Sequence, residues 1–152
     1  MNYWLFKTEP AECSMDDFVR AASTPIVWEG VRNYQARNFL RDQLAVGDQV
    51  FIYHSSCKDI GIAGIAQVTR AAYPDPSQFD VTSSYFDPKA SADNPRWVAV
   101  DLTFVRKLPQ LIRLDKLKSL ATLIELPLIR KGNRLSVMPV TRAEWQTILA
   151  LT

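Results

Sequence analysis

The chain has 152 residues, 18 of them basic and 16 acidic for a formal net charge of +2, and 47% of it is hydrophobic. That length fits one domain with one real core, and the composition excludes a disordered chain or a scaffold stapled by its two cysteines. A net charge so close to neutral also excludes a protein that grips duplex DNA by its phosphates alone, so any nucleic-acid role must rest on a local patch or a pocket.

Residues Tyr3–Lys7 (YWLFK) are short and aromatic and stop at Thr8-Glu9-Pro10, which reads as an opening strand and not as an export signal. No apolar run approaches membrane-spanning length. The expectation is a cytoplasmic protein with Cys13 and Cys57 reduced and no membrane partner. Ser14 followed by Asp17 forms a capping box that opens a short helix to about Ala22. Pro25 begins an extended segment through Trp28, and Gly30 breaks the chain before a second helix from Tyr34 to Gln43. In that helix Ala36, Phe39, Leu40 and Leu44 keep helical spacing, while Arg37 and Arg41 sit one turn apart on a neighbouring face.

Gly47-Asp48 turns the chain into a strand, Gln49–His54, followed by a polar loop from Ser55 to Asp59. Gly61–Thr69 (GIAGIAQVT) is small and branched, as expected of a strand that other backbone approaches closely. Tyr73–Asp93 is the longest irregular stretch and either packs on the domain or serves as a lid. Trp97–Val105 alternates, with Val98, Val100, Leu102 and Phe104 on one face. Leu114–Leu120 reads as a short helix. The basic turn Arg130–Arg134 feeds an extended Leu135–Val140, and Thr141 with Glu144 caps a last helix through Leu151. Strands and helices interleave without a βαβ rhythm, so the expected class is α+β with a small, curled, mixed sheet.

Catalytic signatures are scarce. There is no glycine-rich phosphate loop and no nucleophile elbow. The single histidine, His54, lies three residues from Cys57 at a strand end, and the pair could form a thiolate nucleophile or two zinc ligands. A structural metal site needs four ligands and only Cys13 remains to join them, so no metal is expected. The plainer alternative is a half-buried histidine closing a strand. Trp28–Arg41 (WEGVRNYQARNFLR) is richer in meaning, because it offers a flat π-surface, amides able to read a base edge and guanidinium groups suited to phosphate. The competing reading makes Trp28 and Tyr34 core residues and the arginines a solvated face.

The segments YWLFKTEP (Tyr3–Pro10), WEGVRNYQARNFLR (Trp28–Arg41), GDQVFIYHSSC (Gly47–Cys57), GIAGIAQV (Gly61–Val68), AYPDP (Ala72–Pro76), PRWVAVD (Pro95–Asp101) and RLSVMPV (Arg134–Val140) together resemble the EVE domain. The match runs in order through essentially the whole chain. The resemblance implies a PUA-like fold, a curled, barrel-like mixed sheet with helices packed around it, similar to the YTH and ASCH domains. It also implies non-enzymatic binding of RNA or DNA carrying a modified base, with that base turned out into an aromatic-lined pocket and no cofactor. One departure is visible: the family's last motif usually reads LSVQPV, and Met138 stands here in place of the Gln.

On that reading Trp28 is the stacking surface, with Tyr34 or Tyr53 as the opposing wall. Asn33, Ser55 and Ser136 supply polar contacts, and His54 rims the same cavity. Lys7, Arg32, Arg37 and Arg134 hold phosphate. Truncating Trp28 is then expected to weaken binding more than folding. Two other classes fit the same residues: a small-molecule enzyme built on His54 and Cys57, and a protein-interaction module using the Tyr73–Asp93 loop.

Overall fold

The structure, a computed structural model, describes all of residues 1–152. In chain order it contains β1 (Tyr3–Thr8), α1 (Met15–Ala21), β2 (Ile26–Trp28), α2 (Tyr34–Asp42), β3 (Gln49–His54), β4 (Gly61–Pro74), β5 (Val98–Arg113), α3 (Leu114–Lys118), β6 (Val137–Val140) and α4 (Arg142–Leu149). Both capping boxes form: Ser14 with Asp17 opens α1, and Thr141 with Glu144 opens α4. None of the helices is long and apolar enough to cross a membrane.

The strands make one curled sheet in the order β2-β5-β4-β3-β1-β6, which stays open between β2 and β6. β1 and β3 are parallel, and every other neighbouring pair is antiparallel. The hydrophobic alternation locates β4 and β5 but stops short of their ends. β4 continues past Thr69 to Pro74, and β5 continues past Val105 to Arg113. Arg70, Arg106, Lys107 and Gln110 are exposed there, and register shifts interrupt the alternation, so the buried Leu108 and Ile112 stamp no regular period on the sequence. Buried Leu108 and Ile112 anchor the far part of β5, and four register shifts between β4 and β5 let the two long strands bend. Close backbone approach also explains the first residue of GIAGIAQVT, since a Cβ on Gly61 would lie 2.2 Å from the carbonyl oxygen of Ile112.

The sheet divides the expected single core into two. Side chains alternate across the strands, so Trp4, Phe6, Val50 and Ile52 pack on one face while Leu5, Phe51 and Tyr53 pack on the other. The first face is covered by α1 and α2 through Met15, Phe18, Ala36 and Leu40, and it includes Trp28. The second is covered by α3, α4 and the short turns between β5 and β6, through Leu117, Leu123, Trp145 and Ile148. Phe51 and Trp145 stack at 3.7 Å between ring centres. Met138 is fully buried on this second face, paired in register with Leu5. The departure from the family motif therefore falls in the core on the face opposite Trp28.

The irregular stretch packs on the domain. Tyr73 belongs to β4, and the chain beyond it is fastened by Asp75 and Gln78, both fully buried. The Gln78 amide donates to the carbonyls of Asp75 and Trp97, each at 2.8 Å, and accepts from the backbone N–H groups of Arg96 and Trp97. One side chain thereby substitutes for a missing sheet partner, satisfying backbone groups that burial would otherwise leave costly.

Candidate ligand cavity

The parallel pair β1/β3 ends at Thr8 and His54, and the chain leaves both strands at the same edge of the sheet. Ser55 N–H donates to the carbonyl of Thr8 at 2.9 Å, and Lys7 N–H donates to the carbonyl of Ser136 at 2.8 Å. These bonds gather Lys7, Thr8, Ser55 and Ser136 around one opening. The capping box at α1 turns Cys13 and Asp17 toward it, and β2 brings Trp28 and then Glu29 and Gly30 across from them. The resulting cavity has a volume of about 710 Å³, within the range of roughly 300–1,000 Å³ common to small-molecule sites.

Tyr85 closes another side. It comes from the irregular stretch, and its position is set by a buried anchor. Asp75 accepts from Gly30 N–H at 2.8 Å, from the Arg32 guanidinium at 3.0 Å and from both the N–H and hydroxyl of Ser77. Burial alone would raise the Asp75 carboxyl, but Ser77, Gly30 and Arg32 more than offset this and hold it below the usual carboxylate range. Arg32 also donates to the carbonyl of Tyr85 at 2.7 and 3.1 Å, which draws the ring over Gly30. A Cβ on Gly30 would sit 2.6 Å from that ring, and the residue has φ +84°, so glycine is required on both counts. The Tyr85 hydroxyl donates to Glu12, and burial with this bond pushes it up to about 12.

The cavity is not the basic pocket that its sequence neighbourhood suggests. Glu9, Glu12, Asp17 and Glu29 line it against only Lys7 and Arg134. Asp17 is engaged in the capping box and with Arg20, and Glu12 with Tyr85. Glu29 has no hydrogen-bond or ion-pair partner within the chain, and burial, reinforced by the charge of Asp75, raises its carboxyl above the usual value. Burial, with the charges of Asp17 and Glu12, pushes the Cys13 thiol up to about 11, so it is held as a thiol at neutral pH. Burial lowers the Lys7 ammonium.

Five of the residues picked out in the sequence line this cavity: Trp28, Lys7, Ser55, Ser136 and Arg134. Trp28 does so while remaining 93% buried, with its ring packed on Phe6 at 5.4 Å and Phe18 at 6.4 Å. It is a core residue that shows part of one ring to the cavity. The others lie elsewhere. Tyr53 is buried in the second core, because the alternation of β3 points it to the opposite face. Tyr34 stacks on Trp97 at 4.8 Å, outside the cavity. Asn33 caps α2, its side-chain oxygen accepting from Ala36 N–H at 3.0 Å.

Arg32 is held by Asp75 and Tyr85 as described, so it braces the wall. Arg37 lies over Tyr34 at 4.7 Å and donates to the carbonyl of Arg96 at 3.0 Å. His54 accepts from Met15 N–H through Nε2 at 3.1 Å, joining β3 to α1, and burial lowers its pKa. The Cys57 thiol instead donates to the carbonyl of Asp59 at 3.4 Å. Glu29, Gly30 and Tyr85 were not foreseen. Glu29 and Gly30 sit inside the conspicuous WEGVRNYQAR run, whereas Tyr85 lies in an irregular stretch where no periodicity marks any residue.

An α+β domain with a curled mixed sheet, opening at the end of its one parallel strand pair into a ligand-sized cavity, is the class this geometry defines. The chain belongs to the EVE domain family, whose model matches residues 2–151. It is 38% identical to human thymocyte nuclear protein 1, over 99% of this chain and 73% of that protein. A crystal structure of a Pseudomonas putida protein superposes with a TM-score of 0.95 at 54% identity, covering 98% of each chain. The human THYN1 protein, solved in complex with DNA containing 5-methylcytosine, superposes with a TM-score of 0.89 at 38% identity, covering 99% of this chain and 97% of that one. The PUA-like α+β fold expected from the resemblance is thus the fold of these relatives.

Proposed function

We propose that this protein binds nucleic acid carrying a modified base and that the cavity receives that base turned out of its strand. The observation that carries the reading is the pairing of two aromatic walls, Trp28 and Tyr85, with the unpartnered Glu29 carboxylate in one cavity of about 710 Å³. A carboxylate accepts from the exocyclic amino group of cytosine, and the carbonyl of thymine offers it no donor. The human relative solved with 5-methylcytosine DNA makes cytosine methylation the first mark to test. Stacking on the aromatic walls is worth about 1–3 kcal/mol per base, enough to offset an extrusion cost of a few kcal/mol on a single strand or a mismatch.

We also propose that the role is binding without chemical conversion. Cys13, the one thiol at the cavity, is held protonated, and the Nε2 of His54 is already engaged with Met15. The test is a titration with oligonucleotides, RNA and DNA, that differ only in one cytosine modification, each then recovered and checked for chemical change. Tighter binding of the modified strand is expected, by a factor equivalent to about 1–3 kcal/mol if the mark is a single methyl group. Weaker binding to matched duplex than to single strand is expected as well. Equal affinity for every strand in the panel, or a converted base, sinks the reading.

A further inference from the structure

Beside the cavity runs a second depression of about 470 Å³, between the start of α2 and the turn that precedes β6. Arg134 and Leu135 line both, so the two hollows are continuous across that pair. Their charges are opposite in character. The cavity has four carboxylates against two cations, whereas the groove has Arg130 and Arg134 and no carboxylate among its lining residues.

The neutral polar groups of the groove point the same way. The side-chain oxygen of Asn33 accepts from Ala36 N–H, and that of Asn133 accepts from Leu135 N–H at 2.7 Å. Each amide keeps its NH2 free to donate, and Gln35 adds a third amide to the lining. Guanidinium groups and amide N–H donors are the complement of phosphate oxygens, which only accept. Arg134 has no partner within the chain. Arg130 is held only by Glu125 in a pair whose side chains are both more than half exposed, the kind of contact worth little in water and easily exchanged. Lys131 is exposed on the same turn.

From this we infer that the groove carries the sugar–phosphate backbone of the strand whose base enters the cavity, with Arg134 at the junction and Arg130 and Lys131 neutralising the adjoining phosphates. The inference rests on the base-binding reading above and adds the path of the strand. The acidic cavity repels phosphate and admits an uncharged base, and the groove, lined by arginines and no carboxylate, does the reverse. Arg32 and Arg37, the arginines prominent in the sequence, take no part, because Asp75, Tyr85 and Arg96 already hold them.

The experiment uses the full chain, a single-stranded oligodeoxynucleotide with one 5-methylcytosine, its unmethylated twin, and the free nucleoside 5-methyldeoxycytidine, which has no phosphate. Affinity is followed against salt for the parent, for Arg130→Gln with Lys131→Gln, and for Glu125→Gln, with thermal unfolding confirming that each is folded. Losing two phosphate contacts should flatten the log–log salt slope by about 1.4, at about 0.7 per contact on a single strand, and leave nucleoside affinity unchanged. Glu125→Gln, which frees Arg130, should tighten oligonucleotide binding. A parent that prefers the methylated strand but keeps its full slope in the double variant overturns the groove and leaves the base reading standing. A slope that falls without any preference for the methylated strand supports the groove and sinks the base reading. A parent that binds no oligonucleotide overturns both.

Discussion

The cavity and the cluster around Trp97 are made from the same kinds of side chain, and residues 28–37 contribute to both. At the cluster, Tyr34 stacks on Trp97, Arg37 and Arg96 lie against the Tyr34 ring, and Arg32 lies 5.3 Å over Trp97. The Trp97 indole N–H donates to Asp87 at 2.8 Å. Its polar groups are largely matched from within the chain, and the cluster clamps α2 to the segment entering β5. At the cavity, Glu29 and Arg134 are exposed without partners, and Trp28 and Tyr85 both line the space. Aromatic rings beside arginines are thus no evidence of a binding site until it is known which of their polar groups the fold has already satisfied.

Four substitutions or conditions test that contrast. The largest effect is expected from Trp28→Ala, which should lower stability by about 3–5 kcal/mol, as truncation of a buried aromatic does. This reverses the expectation from sequence that binding would suffer more than folding, and the reason is the packing of Trp28 on Phe6 and Phe18. Denaturant unfolding measures it, and a loss under about 1 kcal/mol would return Trp28 to the role of a free stacking surface. Asp75→Ala comes next, at about 2–3 kcal/mol. It removes the acceptor of Gly30, Arg32 and Ser77, although Arg32 retains some access to water. The same variant should also lose affinity per folded molecule, because Tyr85 is no longer drawn over Gly30; unchanged affinity would separate the brace from the cavity.

Tyr34→Ala is expected to cost about 1 kcal/mol, the worth of one aromatic pair, with affinity per folded molecule unchanged. A clear drop in affinity would move the ligand onto the Trp97 cluster. The smallest effect is the pH dependence contributed by His54. Burial lowers its folded pKa, Lys107 adding to this and Asp16 opposing it, so the neutral ring is the folded form. Its contribution is full above the unfolded value of about 6.5 and is lost as pH falls through the depressed folded value. The stability lost between about pH 7 and about pH 5 should therefore be smaller in His54→Gln than in the parent; equal losses would mean that the folded ring titrates as it does in the unfolded chain and that the bond to Met15 N–H adds no pH dependence.

Much of the fold was legible because short-range rules govern it. The capping boxes at Ser14 and Thr141, the helical spacing of Ala36 and Leu40, and the alternation of Val98, Val100 and Leu102 each follow from neighbours within one or two turns. The far ends of β4 and β5 were not legible, since exposed residues and register shifts interrupt the hydrophobic alternation there. The cavity was legible only in part. Lys7, Ser55 and Ser136 lie in motifs whose strands converge, but Tyr53 is taken up by the second core, which nothing local in the sequence marks.

The sequence by itself determined the α+β class, the family and the approximate bounds of most elements, because these depend on local periodicity, capping and ordered motifs. The tertiary structure alone decided which arginines are free, because that depends on partners some 40 to 60 positions away: Asp75 and Tyr85 for Arg32, Arg96 for Arg37. It also brought Tyr85 to the cavity, across 55 residues from Gly30. A side chain's chemistry is written in its own position. Whether its charge and hydrogen bonds are already satisfied is written in residues the chain must fold to reach.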